Sequence, residues 1–245
     1  MQRIRSTVLR KPPPPPHPTL PVQVAVGAVL SLLASLVASR FLLRWLGHYR
    51  WPILVYVVIA AVLGYAPSIV FAVRASRRWG SGSLRDDTGF HLRKVDAGWG
   101  PVTWASCFLA QIVLGILVLA TRIPITSNTE GIGELSADRG YVISLLVVAV
   151  LVAPIVEEMI FRGLVLRGLL SRMGAVPAVF IQALLFGSAH VDPVRGMGNI
   201  GLVIVLSGVG GVLGGAEYLF RRLGPTMLAH GILNAVALTI VLIVS

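Results

Sequence analysis

Two adjacent carboxylates and a guanidinium lie within a segment that otherwise consists mainly of Leu, Ile, Val and Ala. They belong to the stretch APIVEEMIFRG, in which Glu157 and Glu158 precede Arg162. Ionisable groups are costly to bury in a bilayer, so those found there are usually partnered and often functional. Glu158 and Arg162 have i,i+4 spacing and share one helix face, which predicts an ion pair. Glu157 is rotated by about 100° from Glu158, so we expect it to face a different partner.

Three further polar residues lie in apolar segments later in the chain. His190 ends the sequence FGSAH, while His230 and Asn234 lie in HGILN and share a helix face. Alone, a histidine at a helix end is commonly a packed or interfacial residue, and a membrane asparagine commonly links helices. However, Glu157 and His190 are nearly equidistant in sequence from Gly174, the centre of the connection between their helices. In an antiparallel hairpin they therefore lie at nearly the same height.

A cavity shared by Glu157, His190, His230 and Asn234 would suit hydrolysis of an amide bond. A partly desolvated carboxylate can act as a general base near neutral pH, so Glu157 would take a proton from a water that His190 positions. His230 and Asn234 would donate hydrogen bonds to the developing oxyanion. The alternative is a catalytic zinc held by Glu157, His190 and His230, with one position open. The sequence lacks HExxH spacing and does not choose between the two.

The composition is that of a polytopic integral membrane protein. Of the 245 residues, 56% are hydrophobic and only 13% are charged, whereas a soluble domain is about one-quarter charged. The net charge of +11 does not form one stripe. Basic residues instead cluster in loops between apolar runs, which is typical of an orientation signal and favours anionic lipid over nucleic acid as their partner. The single cysteine, Cys107, excludes an intrachain disulfide and a cysteine-based metal site.

The chain divides into three regions. Residues 1–21 form a basic arm whose five consecutive prolines favour an extended conformation. Residues 22–140 contain N-terminal transmembrane helices with polar loops, and residues 141–245 contain the helical core that carries the polar groups. Apolar runs predict seven spans, at approximately 22–46, 53–73, 102–120, 141–172, 177–190, 200–220 and from Pro225 onward.

Several local features refine this topology. Pro154 is expected to kink or restart the fourth helix, and the glycines of the sixth helix form two overlapping GxxxG steps that predict close helix packing. The loop 74–100 has mixed charge and is expected to be solvated. Arg167 and Arg172 are expected to emerge into the cytosol. Most Lys and Arg residues then fall on the side of the N-terminus, which predicts a cytoplasmic N-terminus.

The three motifs Glu157-Glu158-x-x-x-Arg162, Phe186-x-x-x-His190 and His230-x-x-x-Asn234 resemble the signature of the CPBP intramembrane proteases. This is the Abi family, which includes the type II CAAX prenyl endopeptidases, and the resemblance covers about residues 141–240. It implies an all-α bundle of about eight membrane helices, so a short extra helix is expected within 86–96 or 127–138.

The resemblance also implies roles for the motif residues. Glu157 and His190 become the water-activating pair, His230 and Asn234 the oxyanion donors, and Glu158 and Arg162 the remaining motif residues. The family is called metalloprotease, but a metal-free glutamate mechanism has also been proposed for it, so zinc and no cofactor both stay open. The implied activity is endopeptidase cleavage of a membrane-associated substrate, with CAAX-type prenylated proteins as one class.

Two other functions are compatible with the same residues. A non-catalytic member of the family would use the cavity to bind or chaperone membrane proteins. A proton or ion transporter could use buried Glu and His as a relay, but the sequence shows no inverted halves. The expected partners are the lipid bilayer and a membrane-associated peptide or protein, with no nucleic acid. The expected location is an integral membrane position, which is the plasma membrane in a bacterium, and the sequence carries no signal for an oligomeric state.

Overall fold

A computed structural model describes residues 20–129, 132–133, 137–192 and 195–244. The basic, proline-rich arm therefore lies almost entirely outside the described residues. The described part is helical, and no strand occurs in it. Its eight helices are α1 Val22–Leu46, α2 Ile53–Trp79, α3 Leu84–Thr88, α4 Asp96–Ala120, α5 Arg139–Leu170, α6 Ala175–Ser188, α7 Gly198–Phe220 and α8 Gly224–Val244.

Six of these helices, all except α3 and α6, are long and apolar enough to cross a membrane. This finding confirms an all-α polytopic membrane protein. The fifth predicted span is too short, because α6 contains 14 residues and is about 21 Å long, whereas the hydrocarbon core is about 30 Å thick. His190 lies two residues after the end of this short helix.

The central element is α5, which packs against α1, α2, α3, α6, α7 and α8. Its residues 159–169 are all buried. Around it, α1 pairs with α2, α4 with α8 and α6 with α7. The sixth predicted span is α7, and its predicted close packing is confirmed for one of its two GxxxG pairs. A Cβ atom at Gly210 or Gly214 would approach α6 at Ala183 or Gln182, whereas Gly211 and Gly215 have no such close neighbour.

Pro154 changes the hydrogen bonding of α5 without ending the helix. Two π-helical stretches, Val147–Val152 and Met159–Leu166, lie on either side of it. Proline has no N–H group and its ring clashes with the preceding turn, and a wider π-turn accommodates both effects. Of the two effects expected of Pro154, a kink or a restart, the restart does not occur, because the helix continues from Arg139 to Leu170.

The π-helical stretch also changes the direction of the basic residues of α5. Residues five apart are about one turn apart in a π-helix, so Arg162 and Arg167 both turn inward. Arg167 is fully buried and its Nη2 lies 2.7 Å from Oε1 of Glu217. The prediction that Arg167 projects into the cytosol is therefore wrong, although Arg172 is exposed as expected.

The mixed-charge loop between α2 and α4 is largely exposed, as predicted, but two of its aspartates are buried. Asp87 and Asp96 are only 6% and 1% exposed. Oδ1 of Asp96 accepts a 2.6 Å hydrogen bond from Arg222, and the backbone carbonyl of Asp87 accepts one from Arg167. The loop contains α3, which overlaps the first range in which an extra short helix was expected. The second range, 127–138, lies partly outside the described residues.

Candidate active site

Glu158 and Arg162 form the predicted ion pair. Nη1 of Arg162 lies 2.8 Å from Oε1 of Glu158, and neither side chain has any exposed surface. Arg162 also donates a 3.2 Å hydrogen bond to the carbonyl of Gly210, and its guanidinium lies 4.4 Å from the ring centre of Phe186. A buried charge requires a partner and further hydrogen bonds. These contacts supply them for the two Nη atoms of Arg162, whereas its Nε has no hydrogen-bond partner among the described residues.

The same carboxylate orients His230. Nδ1 of His230 lies 3.0 Å from Oε1 of Glu158, and its Nε2 lies 3.9 Å from Oε2 of Glu157. Because an ionised carboxylate only accepts hydrogen bonds, the Nδ1 atom of His230 carries the proton of this contact. In the neutral ring, Nε2 is then an acceptor directed towards Glu157.

His190 is oriented in a similar way from the turn after α6. Its Nδ1 lies 2.9 Å from the backbone carbonyl of Phe186, so this nitrogen also carries a proton. Its Nε2 lies 4.0 Å from Oε2 of Glu157. The ring of Phe186 packs against both histidines as well as Arg162, with centroid distances of 4.9 Å to His190 and 5.7 Å to His230.

The two oxygen atoms of Glu157 have different surroundings. Oε1 accepts a 2.9 Å hydrogen bond from the hydroxyl of Tyr65. Oε2 is buried and has no hydrogen-bond partner within the part of the chain that the structure describes. Its separations from the Nε2 atoms of His190 and His230 are too long for direct hydrogen bonds. They are short enough for one water molecule to bridge with bonds of about 2.8 Å.

Asn234 contacts the π-helical part of α5. Its Nδ2 donates a 2.7 Å hydrogen bond to the backbone carbonyl of Ala149. In a π-helix, the carbonyl of Ala149 would accept a hydrogen bond from the backbone N–H five residues later. That residue is Pro154, which has no N–H group. Asn234 therefore satisfies a carbonyl that proline leaves free, which is the interhelical role that asparagine commonly has in membranes. Its second amide hydrogen is available for another acceptor.

Two cavities meet at His190. The first, here called the apolar cavity, has a volume of about 420 Å³ and lies between α1, α2 and α5, with Tyr65 and Glu157 in its lining. The second, here called the polar cavity, has a volume of about 200 Å³ and is lined by His230 and Asn234 together with Gln111 and Asn128. His190 lines both. The site therefore brings together residues from α5, from the turn after α6 and from α8.

Tyr65 is the site residue that the sequence analysis missed. It is half-buried on α2, which is 92 residues from Glu157 along the chain. An isolated tyrosine in an apolar helix has no spacing relation to the three motifs. The one available signal was a hydroxyl-bearing side chain in the middle of a predicted span, beside Pro67.

The residues do not fit a preformed zinc site. Ligands 2.0–2.2 Å from a tetrahedral zinc lie about 3.3–3.5 Å from each other. The Nε2 atoms of His190 and His230 lie 4.0 Å and 3.9 Å from Glu157 Oε2, and no group of three His, Cys, Asp or Glu residues within the described ranges has metal-ligand geometry. We therefore derive no chemical step through a metal.

Comparison with known proteins identifies the region that contains this site. The model of the family described as type II CAAX prenyl endopeptidase Rce1-like matches residues 139–236, which extend from the start of α5 into α8. No curated protein and no solved structure matches the chain. The match confirms the family resemblance carried by the three motifs, and it supports an intramembrane protease at the level of the family. Residues 139–236 of this chain thus form a domain of the type II CAAX prenyl endopeptidase Rce1-like family.

Proposed function

We propose that this protein is an intramembrane endopeptidase in which Glu157 activates water for hydrolysis of a peptide bond. One observation carries the proposal: Oε2 of Glu157 is faced by the Nε2 atoms of both His190 and His230, at 4.0 Å and 3.9 Å. One water molecule can lie between them: it donates one hydrogen to Oε2 of Glu157 and the other to Nε2 of His190, and it accepts a hydrogen bond from Nε2 of His230 when that ring carries both protons.

The reaction adds water across the scissile bond. Glu157 takes a proton from the water held by His190 and His230, and the resulting hydroxide attacks the peptide carbonyl carbon. The free amide hydrogen of Asn234 donates to the oxyanion. His230 also donates a hydrogen bond to the oxyanion when its ring carries a second proton. The second proton is needed because the proton on Nδ1 is already donated to Glu158. Glu157 then transfers its proton to the leaving amine, so that the carbon–nitrogen bond breaks.

The apolar cavity supports a proposal about the class of substrate. It opens beside Glu157 and is lined almost entirely by apolar side chains from α1, α2 and α5. A volume of about 420 Å³ lies within the range of small-molecule sites and suits a lipid-like group attached to the peptide. We therefore propose a CAAX-type prenylated substrate, with its peptide portion directed towards the polar cavity.

The orientation that we propose places the N-terminus in the cytoplasm. The exposed basic residues after α2 and after α5 then lie on the cytoplasmic side, in agreement with the positive-inside rule. Glu157 would lie in the cytoplasmic half of the membrane.

The test is cleavage of an internally quenched, S-farnesylated CAAX peptide by the full-length protein in liposomes. Wild-type protein is expected to cleave it, and Glu157→Gln is expected to be inactive at an equal amount of folded protein. Cleavage by Glu157→Gln at the wild-type rate would refute the mechanism. Binding of the peptide without cleavage by the wild type would instead favour the non-catalytic binding function.

A further inference from the structure

Glu157 receives a hydrogen bond from outside the matched family domain. The donor is the hydroxyl of Tyr65, 2.9 Å from Oε1 of Glu157. Tyr65 belongs to α2, whereas the family match begins at residue 139. We propose that Tyr65 is a positioning residue, which fixes the carboxylate of Glu157 so that Oε2 faces the two histidines. This inference rests on the function proposed above.

The geometry gives the two carboxylate oxygens separate tasks. Oε1 is held by Tyr65, and Oε2 is the atom closest to Nε2 of both His190 and His230. Without a hydrogen bond to Oε1, the carboxylate of Glu157 can rotate about its terminal torsion angle, because the preferred values of that angle are broadly distributed. The hydroxyl of Tyr65 therefore restricts the rotation that would turn Oε2 away from the water.

No described charged group replaces Tyr65 as a partner of Glu157. The guanidinium of Arg162 is bonded to the neighbouring carboxylate, Glu158. The imidazoles of His190 and His230 are on the Oε2 side and beyond direct hydrogen-bond distance. A hydrogen bond to a charged acceptor is stronger than one between neutral groups, so the loss of this one contact should reduce the population of the productive rotamer.

The packing of α1 and α2 explains why this hydroxyl can be held in place. Ser68 is buried one turn after Tyr65, and its hydroxyl lies 3.4 Å from that of Ser31 on α1. Small residues let the two helices approach closely in lipid. Since α2 also contacts the first part of α5, the hairpin of α1 and α2 fixes the position of Tyr65 relative to Glu157.

The experiment compares Tyr65→Phe with Tyr56→Phe in the full-length protein, using the same farnesylated peptide in liposomes. Tyr56 lies on the same helix, and its hydroxyl donates to the backbone carbonyls of Leu46 and Tyr49, away from the site. Tyr65→Phe is expected to lower kcat about tenfold to a hundredfold with KM changed less than about twofold. Tyr56→Phe is expected to retain the wild-type kcat. Rates are expressed per folded protein.

A double-mutant cycle separates positioning from a general structural effect. In Glu157→Asp the carboxylate is withdrawn by one methylene group, so the hydroxyl of Tyr65 no longer reaches it. Tyr65→Phe should then cause no further loss of kcat in the Glu157→Asp protein. An equal loss in both backgrounds, or a wild-type kcat in Tyr65→Phe, would overturn the inference. If Glu157→Gln retains full activity, the proposed function itself is refuted. If Glu157→Gln is inactive but Tyr65→Phe is fully active, only the proposed role of Tyr65 is refuted.

Discussion

Oε1 of Glu158 accepts a hydrogen bond from Nδ1 of His230 at 3.0 Å. The same oxygen lies 2.8 Å from Arg162, so one buried carboxylate joins a structural cation to an imidazole of the proposed site. The adjacent Glu157 contacts no guanidinium among the described residues and instead lines the apolar cavity. Two neighbouring glutamates therefore have different tasks, because their side chains leave the helix in different directions.

The different contacts of Glu157 and Glu158 predict that replacing each by glutamine has a different effect on stability. Glu158→Gln should reduce the free energy of unfolding by about 3–5 kcal/mol, because it leaves the charge of Arg162 buried without a counter-ion. Glu157→Gln should change it by less than about 1 kcal/mol while abolishing cleavage. Thermal and denaturant unfolding in detergent micelles, measured beside peptide cleavage, provide both readouts. Equal stability of the two variants would contradict this prediction.

The buried pair of Arg167 and Glu217 gives a second stability prediction. Arg167→Leu should cost about 3–5 kcal/mol of unfolding free energy, because Glu217 then remains buried with its cation removed. The control is Arg172→Leu, in the exposed turn after α5, which should have little effect. Unfolding in detergent measures both variants. A wild-type stability for Arg167→Leu would show that the pair is not needed for folding.

Gly64 is a position at the apolar cavity that has space for a side-chain Cβ atom. This residue lines the cavity, and a Cβ atom added to it meets no heavy atom within 4 Å. Gly64→Leu should therefore raise KM for the farnesylated peptide about tenfold, which is a loss of about 1.4 kcal/mol in binding, with little change in kcat.

The matched control for this substitution is Gly115→Leu on α4. A Cβ atom at Gly115 also meets nothing within 4 Å, but Gly115 lines neither the apolar nor the polar cavity. Its KM should stay at the wild-type value. An unchanged KM in Gly64→Leu would show that the lipid-like group binds elsewhere.

The separations within the site predict the response to chelators. Peptide cleavage should continue after incubation with EDTA or 1,10-phenanthroline, because Glu157, His190 and His230 lie farther apart than zinc ligands do. Metal analysis of the purified protein should find less than stoichiometric zinc. Loss of cleavage on chelation, followed by recovery when zinc is added back, would contradict the metal-free mechanism.

The sequence alone determined the membrane character, most of the spans, the family and the pair of Glu158 with Arg162. These results depend on local composition and helical periodicity, which can be read within about one turn or one span. The i,i+4 spacing fixes that ion pair wherever the helix is placed. The prediction that Arg167 emerges into the cytosol failed, because residues five apart return to nearly the same helix face in the π-helical stretch Met159–Leu166.

Only the tertiary structure determined which helices meet at Glu157 and at what distances. The contact with Tyr65 spans 92 residues of chain, and the burial of Asp87 and Asp96 depends on partners as distant as Arg222. Such contacts are set by the rotation and tilt of packed helices, which hydropathy does not encode. The sequence thus supplied the reactive groups and their approximate depth, whereas helix packing set their orientation towards one another.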